Sequence, residues 1–455
     1  MGRELKVGMV SLGCAKNLVD AEVMMGSLGE AGMAITADAA DADVLIVNTC
    51  CFVDDAKAES IGTIEELIEE RRKHGRRRQK IIVAGCLAQR YAERLPEQLP
   101  EVDAYIGLDQ VESVASIIQE LMTKNCAKGV SYVSSKSKYI PSHETPRLRL
   151  TDAHSAYVKI AEGCNHPCSF CVIPKIRGRH RSRAQADIVR EVRSLVEQGC
   201  KEINLISQDT TYYGMDKWEG KSATPRSGVD SSRGESLTTL LRELEAIEGD
   251  FWIRLLYTHP AHWSIELMET IAASKKVVPY VDIPLQHISD NMLSAMQRET
   301  DGAYIRNLIR QMREKIPGLG IRTAFIVGFP GETEADFQEL IEFCEAFRFE
   351  RVGVFEYSRE EDTRAYDIEV GMVDDDTRHA RWDTLMRRLS ELAEENNEMR
   401  IGEKLRVLID APGVARSVWD APEIDCNVFV DDELLVGTFV AIEVVDVKGY
   451  DLVGE

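Results

Sequence analysis

At 455 residues the chain is too long for a single compact core, and two or three domains are expected. Its apolar fraction of 44% is ordinary for a soluble globular protein, and no apolar run is long enough to span a bilayer. A net charge of −22 argues against a chain devoted to gripping phosphates and favours a small molecule or a basic protein as partner. Met1 to Val10 lacks the apolar core of a signal peptide, and lysine at position 6 breaks the myristoylation pattern, so a cytoplasmic location without membrane attachment is expected. Eleven cysteines, an odd number without a secretory signal, point to metal ligation rather than a disulfide framework.

The first ~125 residues alternate strand and helix signals at βα spacing. Apolar runs at Val7–Val10, Val44–Val47, Ile81–Ala84 and Ala104–Ile106 enclose helical patterns such as Ile61, Ile64, Leu67 and Ile68. An open parallel sheet is the natural solution. Cys14, Cys50 and Cys86 each follow the carboxyl end of one of these strands, where open α/β sheets bind ligands. A lone buried cysteine packs as a small hydrophobe; three at equivalent positions predict a shared ligand site. Cys51 stands beside Cys50; either thiol could ligate, and one of the two is then a bystander. Lys128 to Thr151, with its serines and prolines, reads as a linker.

A short β-type stretch, Tyr157 to Ile160, leads into Cys164-Asn165-His166-Pro167-Cys168-Ser169-Phe170-Cys171. This spacing offers three thiolates and no fourth. Structural zinc closes its tetrahedron with four ligands, whereas a cubane iron–sulfur cluster on three cysteines keeps one iron open. Asn, His and Pro disfavour a helix here, so the segment reads as a loop. Further strands are predicted at Ile203–Ser207, Trp252–Tyr257, Tyr280–Pro284, Arg322–Val327 and Val352–Tyr357. Six βα units in series predict a complete or partial β/α barrel. Capping boxes are read at Ser182 with Gln185 and at Thr333 with Asp336, and Met215 to Glu235 as a mobile surface loop. A charged helix is expected over Asp374 to Arg400, then short β-type runs at Leu405–Ile409, Val428–Val430, Leu434–Val440 and Ile442–Val445 that predict a small all-β barrel.

These residues resemble the methylthiotransferase family of radical S-adenosylmethionine (SAM) enzymes over essentially the whole chain. Beyond the cysteines, the match runs through Gly13-Cys14-Ala15-Lys16-Asn17, Asn48-Thr49-Cys50, Gly85-Cys86, the segment Ile173-Pro174 to Ser182-Arg183, Asp282 to His287 and Ile326 to Thr333. The resemblance implies a multidomain α/β protein. Residues 1–127 would form an amino-terminal methylthiotransferase domain on an open parallel α/β sheet, with 128–150 as linker. Residues 151–385 would form a radical-SAM β/α (partial TIM-like) barrel, and 386–455 a linking helix and a small all-β TRAM barrel. It further implies two 4Fe–4S clusters, an auxiliary one on Cys14, Cys50 and Cys86 and one on Cys164, Cys168 and Cys171 whose open iron chelates SAM. A low-potential donor such as flavodoxin or ferredoxin would supply the electron that cleaves SAM to a 5′-deoxyadenosyl radical, with a second SAM giving the methyl group.

One branch of that family modifies an adenosine in tRNA and another an aspartate of ribosomal protein S-twelve. Lys16 to Asp20, Ser207 to Gly214 and Val352 to Ser358 look like the second branch. Charge agrees: residues 401–455 carry four Lys/Arg against twelve Asp/Glu, a net of 4 − 12 = −8. A tRNA-gripping barrel should be basic, whereas an acidic one suits a basic ribosomal protein. A non-catalytic iron–sulfur RNA-binding or sensor protein is the alternative from another class.

Three more residues are candidates for SAM contact. Phe170 lies between two ligands, Gln208 ends the second barrel strand, and Arg322 starts the fifth and could pair with a carboxylate. Loop packing, a surface amide and a structural ion pair are the respective plain readings. His166 is expected to stabilise its loop by hydrogen bonding rather than to ligate metal. His259 and His262 flank a strand end without acidic companions, so core or rim positions suffice for them. The glycines from Gly328 to Gly331 lack the ending of a P-loop, and the basic run Arg71 to Lys80 reads as a solvated helix end.

Overall fold

The structure, a computed structural model, describes residues 4–123, 128–219, 224 and 226–455. Met1 to Arg3 of the opening run, 124–127 of the expected first domain, and 220–223 and 225 of the expected loop over 215–235 lie outside the described residues. Two compact units are present: Met1–Thr151 with Glu162–Cys164 and Val172–Arg181, and Asp152–Ala161 with Asn165–Cys171 and Ser182–Glu455.

The first unit is built on β1 (Lys6–Ser11), β2 (Ala34–Ile35), β3 (Val44–Thr49), β4 (Lys80–Gly85), β5 (Ala104–Ile106) and β6 (Val130–Tyr132). They form one parallel sheet in the order β2-β1-β3-β4-β5-β6. Every residue of β3 is buried, because helices cover both faces. Val44 and Ile46 pack with Met24 and Leu28 of α1 (Ala15–Glu30). Leu45 and Val47, one residue out of phase, pack with Ile64 and Ile68 of α2 (Asp54–Lys73). The period of two thus assigns alternate residues of one strand to opposite layers. β6 corrects the linker reading: Val130–Tyr132 pairs with β5 and extends the sheet.

In the second unit, β7 (Ser155–Lys159), β8 (Glu202–Ile206), β9 (Trp252–Leu255), β10 (Val277–Asp282), β11 (Gly320–Val327) and β12 (Arg351–Glu356) form a six-stranded parallel sheet in sequential order. Sequential parallel βα units are the topology of a barrel; this one is partial, since β7 and β12 are its two edges. The capping box at Thr333 and Asp336 is present on the helix Glu334–Phe347. The one read at Ser182 is not: the helix starts at Gln185 behind Ala184, and the Ser182 hydroxyl instead donates to Asp216 at 2.6 Å and accepts from the Gly214 amide at 2.9 Å. Both ends of the expected loop over 215–235 are anchored. Met215 and Trp218 are buried against Tyr212, and the Trp218 indole donates to the Glu235 carbonyl at 2.8 Å.

Asp374 caps the helix Asp375–Glu398. The chain then closes a five-stranded barrel of β13 (Lys404–Ala411), β14 (Val414–Arg416), β15 (Val428–Phe429), β16 (Phe439–Lys448) and β17 (Asp451–Gly454), in the order β13-β14-β15-β17-β16. The two runs expected at 434–440 and 442–445 merge into β16, which begins only at Phe439. A buried cluster of charge joins this barrel to the six-stranded sheet. Glu202, fully buried, accepts from Arg254 at 2.9 Å and from Arg416 of β14 at 2.7 and 3.1 Å. The Tyr157 hydroxyl also reaches the Pro422 carbonyl at 3.2 Å.

Candidate functional site

Three strand ends of the first unit converge through the motifs that carry the first cysteine set. Asn17 donates to the Leu12 and Thr49 carbonyls at 2.8 and 2.9 Å, and Asn48 donates back to the Asn17 carbonyl at 2.7 Å. Gly13 and Gly85 allow the close approach: both have φ near +90°, and a Cβ on Gly13 would stand 2.7 Å from the Cβ of Cys50. A Cβ on Gly85 would strike the Asn48 side chain at 2.5 Å. Cys14 caps α1, and Cys86 opens the short helix Cys86–Arg90. Two of the three thiols therefore stand at helix amino ends, which favour a thiolate.

The thiols sense one another. Burial pushes Cys86 up to about 12, opposed by Arg177 and reinforced by charge on Cys14 and Cys50. Burial also raises Cys50, with Cys14 adding to the shift. Desolvation works against ionisation of Cys14 too, although this residue is exposed, yet Lys16 and Arg177 outweigh it and hold the thiol below its ordinary value. Arg177 is the cation that reaches furthest into this group. It donates to Glu162 at 3.0 Å, to Asp20 and Asn17 at 3.1 Å and to the Cys86 sulfur at 3.3 Å. Cys51 is fully buried in the apolar layer with Ile64 and Ile68 of α2, and burial, reinforced by charge on Cys86 and Cys50, raises its thiol steeply.

The second set begins in the first unit and ends in the second. The Cys164 amide donates to the Gly178 carbonyl at 3.1 Å. Gly163 beside it has φ +84°, where a Cβ would lie 2.2 Å from the Arg179 carbonyl. Within the second unit, the Cys171 amide donates to the Cys168 carbonyl at 3.2 Å, and the Ser169 amide to the Met296 carbonyl at 2.9 Å. Arg298 donates to the Cys168 sulfur at 3.4 Å.

His166 is held from both sides. Its ring nitrogens meet Asp209 at 2.7 Å and Glu299 at 2.9 Å. Burial alone would strip its charge, but these two carboxylates raise it to about 10. His262 shares Asp209 at 2.9 Å, and His259 stacks on His166 with ring centroids 3.6 Å apart. The acidic companions that the sequence neighbourhood of His259 and His262 lacks therefore come from Asp209 and Glu299. One ring nitrogen from each histidine lies within 4.8 Å of the others, but the carboxylates sit between them. The group is a hydrogen-bonded brace behind the ligand loop rather than three donors gathered on an ion.

The three further candidates part ways. Phe170, partly buried, packs against the cluster of Met292, Met296, Phe329 and Tyr357. Gln208 lies half-buried just past β8. Arg322 donates to Asp282 at 2.8 Å and to Asp425 at 3.2 Å, the ion pair of its plain reading, which ties β11 to the carboxy-terminal barrel. Arg177, Arg298, Asp209 and Glu299 were missed as site residues. Arg177 and Asp209 did lie inside the motif stretches 173–183 and 207–214, but a position in a motif does not say which way a side chain points.

Comparison with known proteins follows the same division. The description "Uncharacterized protein family UPF0004" matches residues 6–107, the radical SAM superfamily 158–344 and the TRAM domain 401–455. A ribosomal protein uS12 methylthiotransferase RimO of Akkermansia muciniphila is 56% identical over 452 residues, 99% of this chain and 100% of that one. The protein of the same name from Opitutus terrae is 57% identical over 453 residues, 98% and 96% of the two chains. Among solved structures, the radical SAM methyltransferase TsrM of Kitasatospora setae superposes with a TM-score of 0.54 at 16% identity, covering 91% of this chain and 80% of that one. At that identity the likeness speaks for the fold alone.

Proposed function

The chain belongs to the RimO family of ribosomal protein uS12 methylthiotransferases, and from that premise we propose that it methylthiolates the β-carbon of an aspartate in uS12, the S-twelve protein of the small subunit. One SAM would serve radical generation and another would give the methyl group. Full-length identity above half to relatives of that name carries the reading. A low-potential donor such as flavodoxin or ferredoxin would supply electrons, and the cytoplasm, where ribosomes assemble, would be the location. Among the described residues no helix is long and apolar enough to cross a membrane.

Cys14, Cys50 and Cys86 would hold the auxiliary 4Fe–4S cluster, and Cys164, Cys168 and Cys171 the SAM-binding one. The donor chemistry fits: soft thiolates, with an arginine on a sulfur in each set to balance anionic charge. The inward packing of Cys51 supports Cys50 as the ligand. When bound, the clusters supply the electron that cleaves SAM to a 5′-deoxyadenosyl radical and the site from which sulfur is donated. This chain's own residues do the placing. Gly13 and Gly85 let the strand ends close up, Asn17 and Asn48 lock them, and the His166 brace fixes the second ligand loop.

The carboxy-terminal barrel supports a protein target over a tRNA. Of its four cations, Arg416 is buried on Glu202 and Arg406 pairs with Asp250 at 2.5 Å. Lys404 and Lys448 remain against a net charge of −8. Reconstituted, reduced protein incubated with SAM and a uS12 peptide should yield 5′-deoxyadenosine and a peptide heavier by one methylthio group. SAM cleavage without peptide modification, under conditions where tRNA is modified, would overturn the reading.

A further inference from the structure

The sequence run Arg71 to Lys80 holds seven Lys/Arg and no carboxylate in a chain of net charge −22. Read as a solvated helix end, it needs no partner, but the structure divides it into two groups. Arg71 is buried and donates to Asp103 at 2.8 Å and to the Glu101 carbonyl at 2.7 Å. Arg72 pairs with Glu69 and Glu101, Lys73 with Glu70, and Lys80 with Asp103. Arg76, Arg77 and Arg78 have no ion-pair partner among the described residues, and Arg77 and Arg78 are exposed.

The turn that carries these three arginines is held rigidly. At the end of α2 the Gly75 amide donates to the Arg72 carbonyl at 3.2 Å and the Arg76 amide to the Arg71 carbonyl at 3.0 Å. This is a Schellman closure, with Gly75 in the left-handed region at φ +63°. Gln79, buried, clamps the far side by donating to the Ala39 and Ala42 carbonyls at 2.7 and 2.9 Å. Between the turn and residues 40–43 lies a depression of about 430 Å³. Its carboxylates are already engaged: Asp41 pairs with Lys6 at 2.5 Å, and Asp43 accepts the Lys6 amide at 3.0 Å.

We propose that Arg76, Arg77 and Arg78 form a docking surface for the phosphate backbone of ribosomal RNA, so that the protein engages uS12 within an RNA-bearing particle. This rests on the reading of uS12 as substrate. Guanidinium forks suit phosphate oxygens, and a turn with a fixed backbone carries all three. A basic target protein would be repelled by this patch, whereas RNA phosphates would be drawn to it against the chain's net charge of −22. The patch would therefore set orientation as well as affinity. It lies before β4, at the opposite end of that strand from Cys86. Six residues at about 3.3 Å each put roughly 20 Å between them, so changing the patch should leave the cysteine set alone.

The test compares the wild-type protein with the triple variant Arg76→Ala, Arg77→Ala, Arg78→Ala, both with reconstituted iron. Binding to purified small ribosomal subunits is measured across a salt series, and uS12 peptide modification serves as the control. The triple variant should bind subunits roughly tenfold to a hundredfold more weakly at about 0.1 M salt, with a log–log salt slope shallower by about three. Its rate on the isolated peptide should be unchanged. Equal affinity and equal slope for the two proteins would overturn the patch while leaving the functional reading intact. Wild-type protein that binds subunits through this patch yet modifies uS12 in neither form would overturn the functional reading instead.

Discussion

Replacing Glu202 by glutamine should loosen the carboxy-terminal barrel from the six-stranded sheet. Glu202 is fully buried between Arg254 and Arg416, and neutralising it takes the carboxylate from Arg254 and leaves Arg416 with Asp410 alone. Burial alone would raise its carboxyl; Arg416 and then Arg254 reverse this and hold it at about 2, against an ordinary 4.5. A displacement of that size corresponds to about 3 kcal/mol, consistent with the few kcal/mol lost when one partner of a buried ion pair is removed. For a unit of this size the melting temperature of the Glu202→Gln protein should fall by about 6–10 °C. The pH dependence has a definite sign. Because the folded value lies below the unfolded one, the stabilisation is complete above pH 4.5 and is lost as pH falls from there toward 2. Calorimetry of both proteins across that window should show the wild-type transition dropping and the variant's flatter. A melting temperature within a degree or two of wild type at neutral pH would refute the reasoning, because it would mean the two arginines find other partners at no cost.

Other outcomes test the remaining parts. Alanine at Cys14, Cys50 or Cys86 should each remove about four irons, the content of one cubane, while 5′-deoxyadenosine formation persists. Cys51→Ala should keep its iron, and the reverse pattern at 50 and 51 would reassign the ligand. Cys168→Ala should abolish SAM cleavage, read as loss of 5′-deoxyadenosine. Arg177→Met removes the guanidinium that buried Asp20 and Glu162 share and should cost the first unit about 3–5 kcal/mol in denaturant unfolding. Thr333→Ala removes a cap that accepts the Asp336 amide and should cost about 1 kcal/mol.

Much of the fold was legible because its signals are local. The runs Val44–Val47 and Ile81–Ala84 are apolar on every residue, which identifies strands covered on both faces. The three strand-end cysteines could be grouped because parallel topology sends equivalent positions to one edge. Short strands escaped: β14 and β17 are only three and four residues long, too brief to show a period, and are ordered by barrel closure. Ser182 failed as a cap because Asp216, thirty-four residues on, competes for its hydroxyl. Long-range charge was least visible. Asp209 and Glu299 reach His166 across separations of 43 and 133 residues, and Arg322 finds Asp425 103 residues away. No periodicity encodes such pairings.

Mass spectrometry of ribosomal proteins and tRNA from a strain deleted for this gene, with and without the gene restored, tests the assignment of target most directly. The uS12 protein should lose one methylthio group from a single aspartate and regain it on restoration, with tRNA unaltered. An unchanged uS12 together with loss of a methylthio group from tRNA adenosine would contradict it.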